Sequence, residues 1–207
     1  RDLHSFPTRR SSDLQLGGVS SAVDDGLSAI DRNAVNPVGG ASEEREFLIR
    51  LLKSREERAW VQTLLLRDAA CVLQIAVNVP GAPKRLAGDE LALRRTEERI
   101  GRAVSESWSS RVYLVNAAGP AVLLAFREIG PLSLKSRAVE IEEGETWCRV
   151  MDLDVVTGTG PVSRVALGFE PRRCLLCTEN SKVCAREGRH EMSALRGRAA
   201  ELLLLVR

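Results

Sequence analysis

The sequence predicts an α+β protein, a mixed sheet with flanking helices, closed by a small Cys/His-containing helical segment at its C-terminal end. Three observations carry this. Short apolar, β-branched runs at 70–77, 111–116, 121–126 and 149–156 are bounded by Gly, Pro and Asn turns, the signature of strands. Segments 42–65 and 89–107 repeat apolar residues at helical spacing. Three of the five cysteines and one of the two histidines gather after residue 173.

Composition sets the class. The 207 residues, 44% apolar and 28% charged, suit one globular domain with an appendage. A net charge of +2 gives no case for nucleic acid by itself. No apolar run reaches the length of a membrane span, and no secretory signal pattern is present, so no membrane partner is expected. An odd number of cysteines suits a reducing compartment, with cytoplasm the expected location.

Residues 1–14 (RDLHSFPTRRSSDL) lack periodicity and an apolar face and read as a non-native leader; Gly, Ser and Asp in 15–41 read as a disordered tail. The expected domains are this leader and tail (1–41), an α+β catalytic unit (42–170), and a Cys/His knuckle with a final helix packed on that unit (171–207).

Ser42-Glu43-Glu44 opens like a helix cap, followed by Phe47, Leu48, Leu51 and Leu52 on one face. Ser54 with Glu57 three positions on suggests a second helix, with Trp60, Val61, Leu64 and Leu65 inward. Arg55 and Arg58 lie one turn apart, either on a solvated face or within reach of a phosphate. The strand at 70–77 runs into Val79-Pro80-Gly81-Ala82-Pro83-Lys84, a rigid turn that offers Lys84 and Arg85 to an anion. Leu91, Leu93, Ile100 and Val104 line the inner face of the helix at 89–107. Residues 111–116 and 121–126 form a hairpin across Ala117-Ala118-Gly119-Pro120, where Gly-Pro is chiefly a shape signal. Residues 134–142 read as helical or extended, with helix favoured, and bring Lys135, Glu140 and Glu142 just ahead of the next strand.

That strand, Arg149-Val150-Met151-Asp152-Leu153-Asp154-Val155-Val156, organises the chemistry. Residues two apart share a face, so Asp152 and Asp154 project together, opposite Met151, Leu153 and Val155. Paired carboxylates oppose each other's ionisation unless a cation lies between them, and Mg²⁺ fits that need. A half-solvated strand with two surface Asp is the plain alternative. Residues 162–167 read as a short returning strand bearing Arg164. Cys174-x2-Cys177-x6-Cys184-x5-His190 offers the S/N donors of a structural Zn²⁺ site; a redox dithiol or unrelated buried thiols remain open. A final helix over 193–206 buries Leu195, Leu202, Leu203 and Val206. From Pro171 onward eight Lys or Arg face four Glu, a basic end suited to an acidic partner.

The motifs SREER, VPGAPK, LVNAAGP, SLKSRAVEIE, RVMDLDVV and RRCLLC…C…H, in this order over roughly 44–205, resemble those of the citrate lyase holo-acyl-carrier-protein synthase family, the phosphoribosyl-dephospho-CoA transferases. Where that family usually has Gly before the Arg of its Asp-x-Asp motif, this chain has Cys148, and 143–147 also depart. The resemblance implies a nucleotidyltransferase-like fold and a nucleotidyltransferase reaction. The donor would be triphosphoribosyl-dephospho-CoA, and the acceptor a serine on the acyl carrier subunit of citrate lyase. For this chemistry Asp152, Asp154 and Arg149 are the expected catalytic residues, with Mg²⁺ on the two Asp. Lys135 and Arg164 are expected to bind the substrate's triphosphate with Arg149. Glu142 is the candidate third carboxylate on the substrate side, and Lys84, from its turn, is a further substrate-binding candidate. The competing reading is a zinc-stabilised nucleic-acid- or protein-binding module without catalysis. The small charge and the scattered aromatics, 4% of residues, weigh against nucleic acid as a partner.

Overall fold

The computed structural model describes residues 40–104 and 107–207. The leader and most of the tail expected over 1–41 lie outside the described residues. The elements run α1 (Ala41–Leu65), β1 (Cys71–Val77), α2 (Asp89–Ala103), β2 (Ser110–Asn116), β3 (Gly119–Phe126), α3 (Pro131–Gly144), β4 (Met151–Thr157), β5 (Gly160–Pro161), α4 (Ser181–Glu187) and α5 (Met192–Leu203). The α+β class with flanking helices is as the sequence predicts. The sheet has the order β2-β3-β1-β4-β5, and every pairing is antiparallel rather than mixed. The β2–β3 hairpin returns beside β1 through β3, which leaves no parallel neighbour to any strand.

The alternation of β4 decides which residues face what. Met151, Leu153 and Val155 join Leu73, Ile75, Leu124 and Phe126 in a core also formed by α2, α3 and α5. Each such fully buried side chain contributes about 1.5–3 kcal/mol. On the other face Val72, Ala76, Ala121, Leu123 and Ala125 pack beneath Val61 and Leu65 of α1. Gln74 and Ala76 of β1 stand opposite Asp154 and Asp152, so the two carboxylates continue this second face onto β4.

Three expectations change. The two helices over 42–65 are one, because the stripe Leu51, Ser54, Arg58, Val61, Leu65 keeps alternating three- and four-residue spacing through Ser54. Ser54 does not cap a helix; it is buried, and its Oγ accepts from the Ala117 N–H at 3.2 Å. The strand expected at 149–156 starts at Met151, because Thr146–Val150 is a 3₁₀ turn that carries Arg149. The returning strand bearing Arg164 is absent: only Gly160–Pro161 pairs with β4, and Val165–Leu167 winds into a 3₁₀ turn. One further backbone bond, from the Val162 N–H to the Val155 carbonyl at 2.8 Å, follows before the chain leaves β4.

The β2–β3 turn is fastened to α1. Asn116 Nδ2 donates to the Ser54 carbonyl (3.3 Å) and to Glu57 Oε2 (2.8 Å), and Arg58 donates to the Gly119 carbonyl at 2.6 Å. Gly119 has φ +89°, and a Cβ there would overlap the Lys84 carbonyl oxygen. The Gly-Pro turn thus permits close approach of the β1–α2 loop. Gly119→Ala should therefore lower stability by about 1–3 kcal/mol. Chemical denaturation is the check, and an unchanged midpoint would contradict this packing.

Candidate active site and metal centre

Over Met151–Val155 the outer edge of β4 has no neighbouring strand among the described residues, yet four of its backbone groups are taken up. Lys135 Nζ donates to the Leu153 carbonyl at 2.7 Å, and Glu142 accepts the Leu153 N–H at 2.8 Å. Arg172 donates to the Met151 carbonyl, and the Val162 N–H to the Val155 carbonyl at 2.8 Å. Lys135 and Glu142 lie two turns apart on α3, both buried, so one helix face delivers both. Such a clamp satisfies groups that would otherwise cost about 1–3 kcal/mol each.

The same cations reach the carboxylates. Arg172 donates to Asp152 at 3.1 Å, and Lys135 lies 3.7 Å from Asp154. Asp152 and Asp154 keep 43% and 48% of their side-chain surface exposed, toward a cleft of about 780 Å³. Lys135, Glu142, Arg164, Arg172 and Lys182 also line it. Desolvation, then the charge of Asp154, raise the Asp152 carboxyl above the ordinary Asp range against the pull of Arg172 and Lys135. Glu142 is likewise raised by burial, although Arg172, the Leu153 N–H and Lys135 oppose it.

Of the sequence-derived residues, Asp152, Asp154, Lys135, Glu142 and Arg164 share this cleft. Arg164 is engaged with Glu142 (3.4 Å) and Glu143. Lys84 lies in an adjoining lobe that also touches Asp152, and its Nζ donates to the Val79 carbonyl at 2.8 Å. Arg149 is not brought to the pair. It donates to the Cys174 carbonyl at 2.6 Å and lines a neighbouring recess. Arg172 stands at Asp152 instead, a residue that in sequence is one of the tail's charges and the first position of the RRCLLC motif, with no site role expected of it. The signals available for it were its adjacency to the Cys174 knuckle and its place in that motif. The basic tail is also less free than its charge count suggests: Arg196 donates to the carbonyls of Pro80, Pro83 and Arg85.

Cys174, Cys177, Cys184 and His190 place their ligand atoms within 4.8 Å of one another. Cys177 Sγ lies 3.5 Å from Cys184 Sγ and 3.3 Å from His190 Nε2. Asn180 caps α4 through the Lys182 N–H, which brings Cys184 back over the Cys174 loop. Burial and the two neighbouring thiols push the Cys184 thiol up to about 12. Crowded sulfurs of this kind ionise together only around a cation, so the donor set fits a soft or borderline metal.

The molecule is thus an α+β protein with an edge-strand carboxylate pair set among guanidinium and ammonium groups, and a Cys₃His centre beside it. A family model for apo-citrate lyase phosphoribosyl-dephospho-CoA transferase matches residues 47–205, and the chain belongs to this family. Apo-citrate lyase phosphoribosyl-dephospho-CoA transferases of Shigella flexneri serotype 5b and Escherichia coli O1:K1 are each 32% identical to it over 171 residues, 79% of this chain and 91% of theirs. A Streptococcus pyogenes protein, whose name has the same words preceded by "Probable", is 28% identical over 172 residues, 78% of this chain and 88% of its own.

Asp152→Asn should keep or raise the melting temperature at neutral pH without added divalent cation. A carboxyl raised in the folded state loses stability as pH climbs from its unfolded value, about 3.9, through the folded one, and Asn has no such loss. A drop of several degrees would mean that the Arg172 contact outweighs the repulsion.

Proposed function

We propose that this chain attaches the phosphoribosyl-dephospho-CoA group to a serine of the citrate lyase acyl carrier subunit, using the triphosphate precursor as donor. The observation that carries the reading is the Asp152–Asp154 pair, opened to a cleft and flanked by Lys135 and Arg172, in a chain of this family. In the reaction the serine oxygen forms a bond to the α-phosphorus. The bond from that phosphorus to the oxygen bridging to the β-phosphate breaks, and diphosphate leaves with that oxygen. The serine proton passes to Asp154, whose exposure lets it hand the proton to solvent. Phosphoryl chemistry of this kind depends chiefly on positioning and charge neutralisation.

Two carboxylates held on one strand face fit Mg²⁺, a hard ion that takes oxygen donors and shares them with phosphate. Bound at Asp152 and Asp154, Mg²⁺ supplies charge neutralisation at the transferred phosphate. Arg172 fixes the Asp152 carboxylate, and Lys135 lies against Asp154; both also present positive charge to the donor's phosphates. Arg164, held by Glu142 and Glu143, borders the same space. Arg149 supports the site indirectly, by tying the 3₁₀ turn before β4 to the Cys174 loop. The Cys₃His centre suits structural Zn²⁺, which would brace the loop that presents Arg172. The inward engagement of Arg172 and Arg196 supports a transferase over a binding module built on a free basic tail.

Intact mass of the carrier subunit, incubated with donor, Mg²⁺ and this protein, tests the reading. Wild type should add one prosthetic group per carrier. Asp152→Asn and Asp154→Asn should cut the rate at least about a hundredfold while remaining folded. Carrier modification at the wild-type rate by either variant would remove the assignment.

The metal centre has its own check. Freshly purified, reduced protein should contain one Zn²⁺ per chain, and Cys177→Ser should lose it. Elemental analysis that finds no zinc would leave three crowded thiols and no structural metal.

A further inference from the structure

We propose that Arg55, Arg58 and Lys84 form a second anion subsite, shaped for a diphosphate, on the opposite side of Asp152 from Lys135. The three cations line a cavity of about 290 Å³ together with Gln62, Asn78 and Asp152. Asp152 is its sole carboxylate among the described residues.

Arg58 is the informative member. It occupies a position in the sheet-facing stripe of α1 where Leu51, Val61 and Leu65 are apolar, and it is only 8% exposed. One guanidinium nitrogen donates to the Gly119 carbonyl, while its Nε has no partner. A buried guanidinium with an unused donor costs free energy unless something else engages it. Burial and the charge of Arg55 both draw the Arg58 and Lys84 basicities down, so the cluster is short of negative charge. The β2–β3 turn and the β1–α2 loop, pressed together at Gly119, hold Arg58 and Lys84 in this arrangement.

This cavity and the larger cleft share Gln62, Gln74, Asn78 and Asp152, so one extended ligand can occupy both. The inference rests on the proposed transfer for the identity of that ligand. The donor then carries diphosphate chemistry in two places: the part of the triphosphate that departs, and the diphosphate inside dephospho-CoA that is retained.

Calorimetric titration of the full chain with inorganic pyrophosphate and, separately, with dephospho-CoA distinguishes the two. Arg55 is exposed on α1, so Arg55→Gln spares the fold, whereas Arg58→Gln also risks it. Arg55→Gln should weaken binding of at least one ligand about tenfold. Weakening confined to pyrophosphate assigns the subsite to the leaving group, and weakening confined to dephospho-CoA assigns it to the retained diphosphate. Weakening of both means that it accepts either. If wild type binds neither saturably, or the variant binds both as wild type does, the subsite does not exist. These titrations need no carrier, so failure of the transfer reaction would leave their outcome standing, and the reverse also holds.

Discussion

The constraint on which the site depends is the outer edge of β4. Over Met151–Val155 a strand edge must place its N–H and C=O groups somewhere, and an unpaired edge is a liability for a soluble protein. Here side chains take the place of a strand: Lys135 and Glu142 hold Leu153, and Arg172 holds Met151. A fifth strand of ordinary length would have covered the edge with neutral backbone. Strand pairing with β5 covers only Val156 and Thr157, with one further bond from the Val162 N–H to the Val155 carbonyl, which leaves the rest of the edge to charged groups. Charges brought to the edge for its backbone then lie beside the carboxylates of Asp152 and Asp154. Structure and chemistry therefore share one set of residues.

That sharing explains the balance of charge. Lys135 and Glu142 are buried, and burial of either alone would be costly. Together with Arg172 and Arg164 they form a network in which each charge has an opposite partner. Asp152, raised by burial and by Asp154, and Glu142, raised by burial, are both incompletely relieved. Of the two it is Asp152 that opens to the cleft beside a second carboxylate, where a cation can be shared. The knuckle contributes through the backbone: the Ser181 N–H donates to the Arg172 carbonyl, and the Cys174 N–H to the Glu179 carbonyl. The metal-type centre and the carboxylate pair are thereby mechanically connected through Arg172, and also through the Arg149 bond to the Cys174 carbonyl.

On the other side of Asp152 the decisive contact is Gly119 against Lys84. A hairpin turn with a side chain there would push away the β1–α2 loop and open the space in which Arg58 and Lys84 converge. The hydrogen bonds from Asn116 to α1 and from Arg58 to Gly119 make that turn a rigid link between helix and sheet.

The sequence by itself determined the carboxylate pair, since period-two alternation puts Asp152 and Asp154 on one face of any regular strand. It also determined the four donors of the Cys₃His cluster, whose spacing within seventeen residues confines them to one neighbourhood. Helices α2 and α5 were legible from apolar periodicity, α3 was open between helix and extended chain, and α1 was legible except for its continuity through Ser54. Tertiary structure alone decided the rest. Arg149 and Arg172 look equivalent in sequence, each beside a recognisable motif. The 3₁₀ turn at Thr146–Val150 aims Arg149 at Cys174, and the knuckle turns Arg172 onto Asp152. The sequence leaves Arg58 open between a solvated face and a phosphate contact, and only the crossing of α1 over the sheet buries it. Such contacts join residues twenty to sixty positions apart. Local periodicity carries no information about which distant segment arrives, so long-range packing had to settle which cations meet the carboxylates.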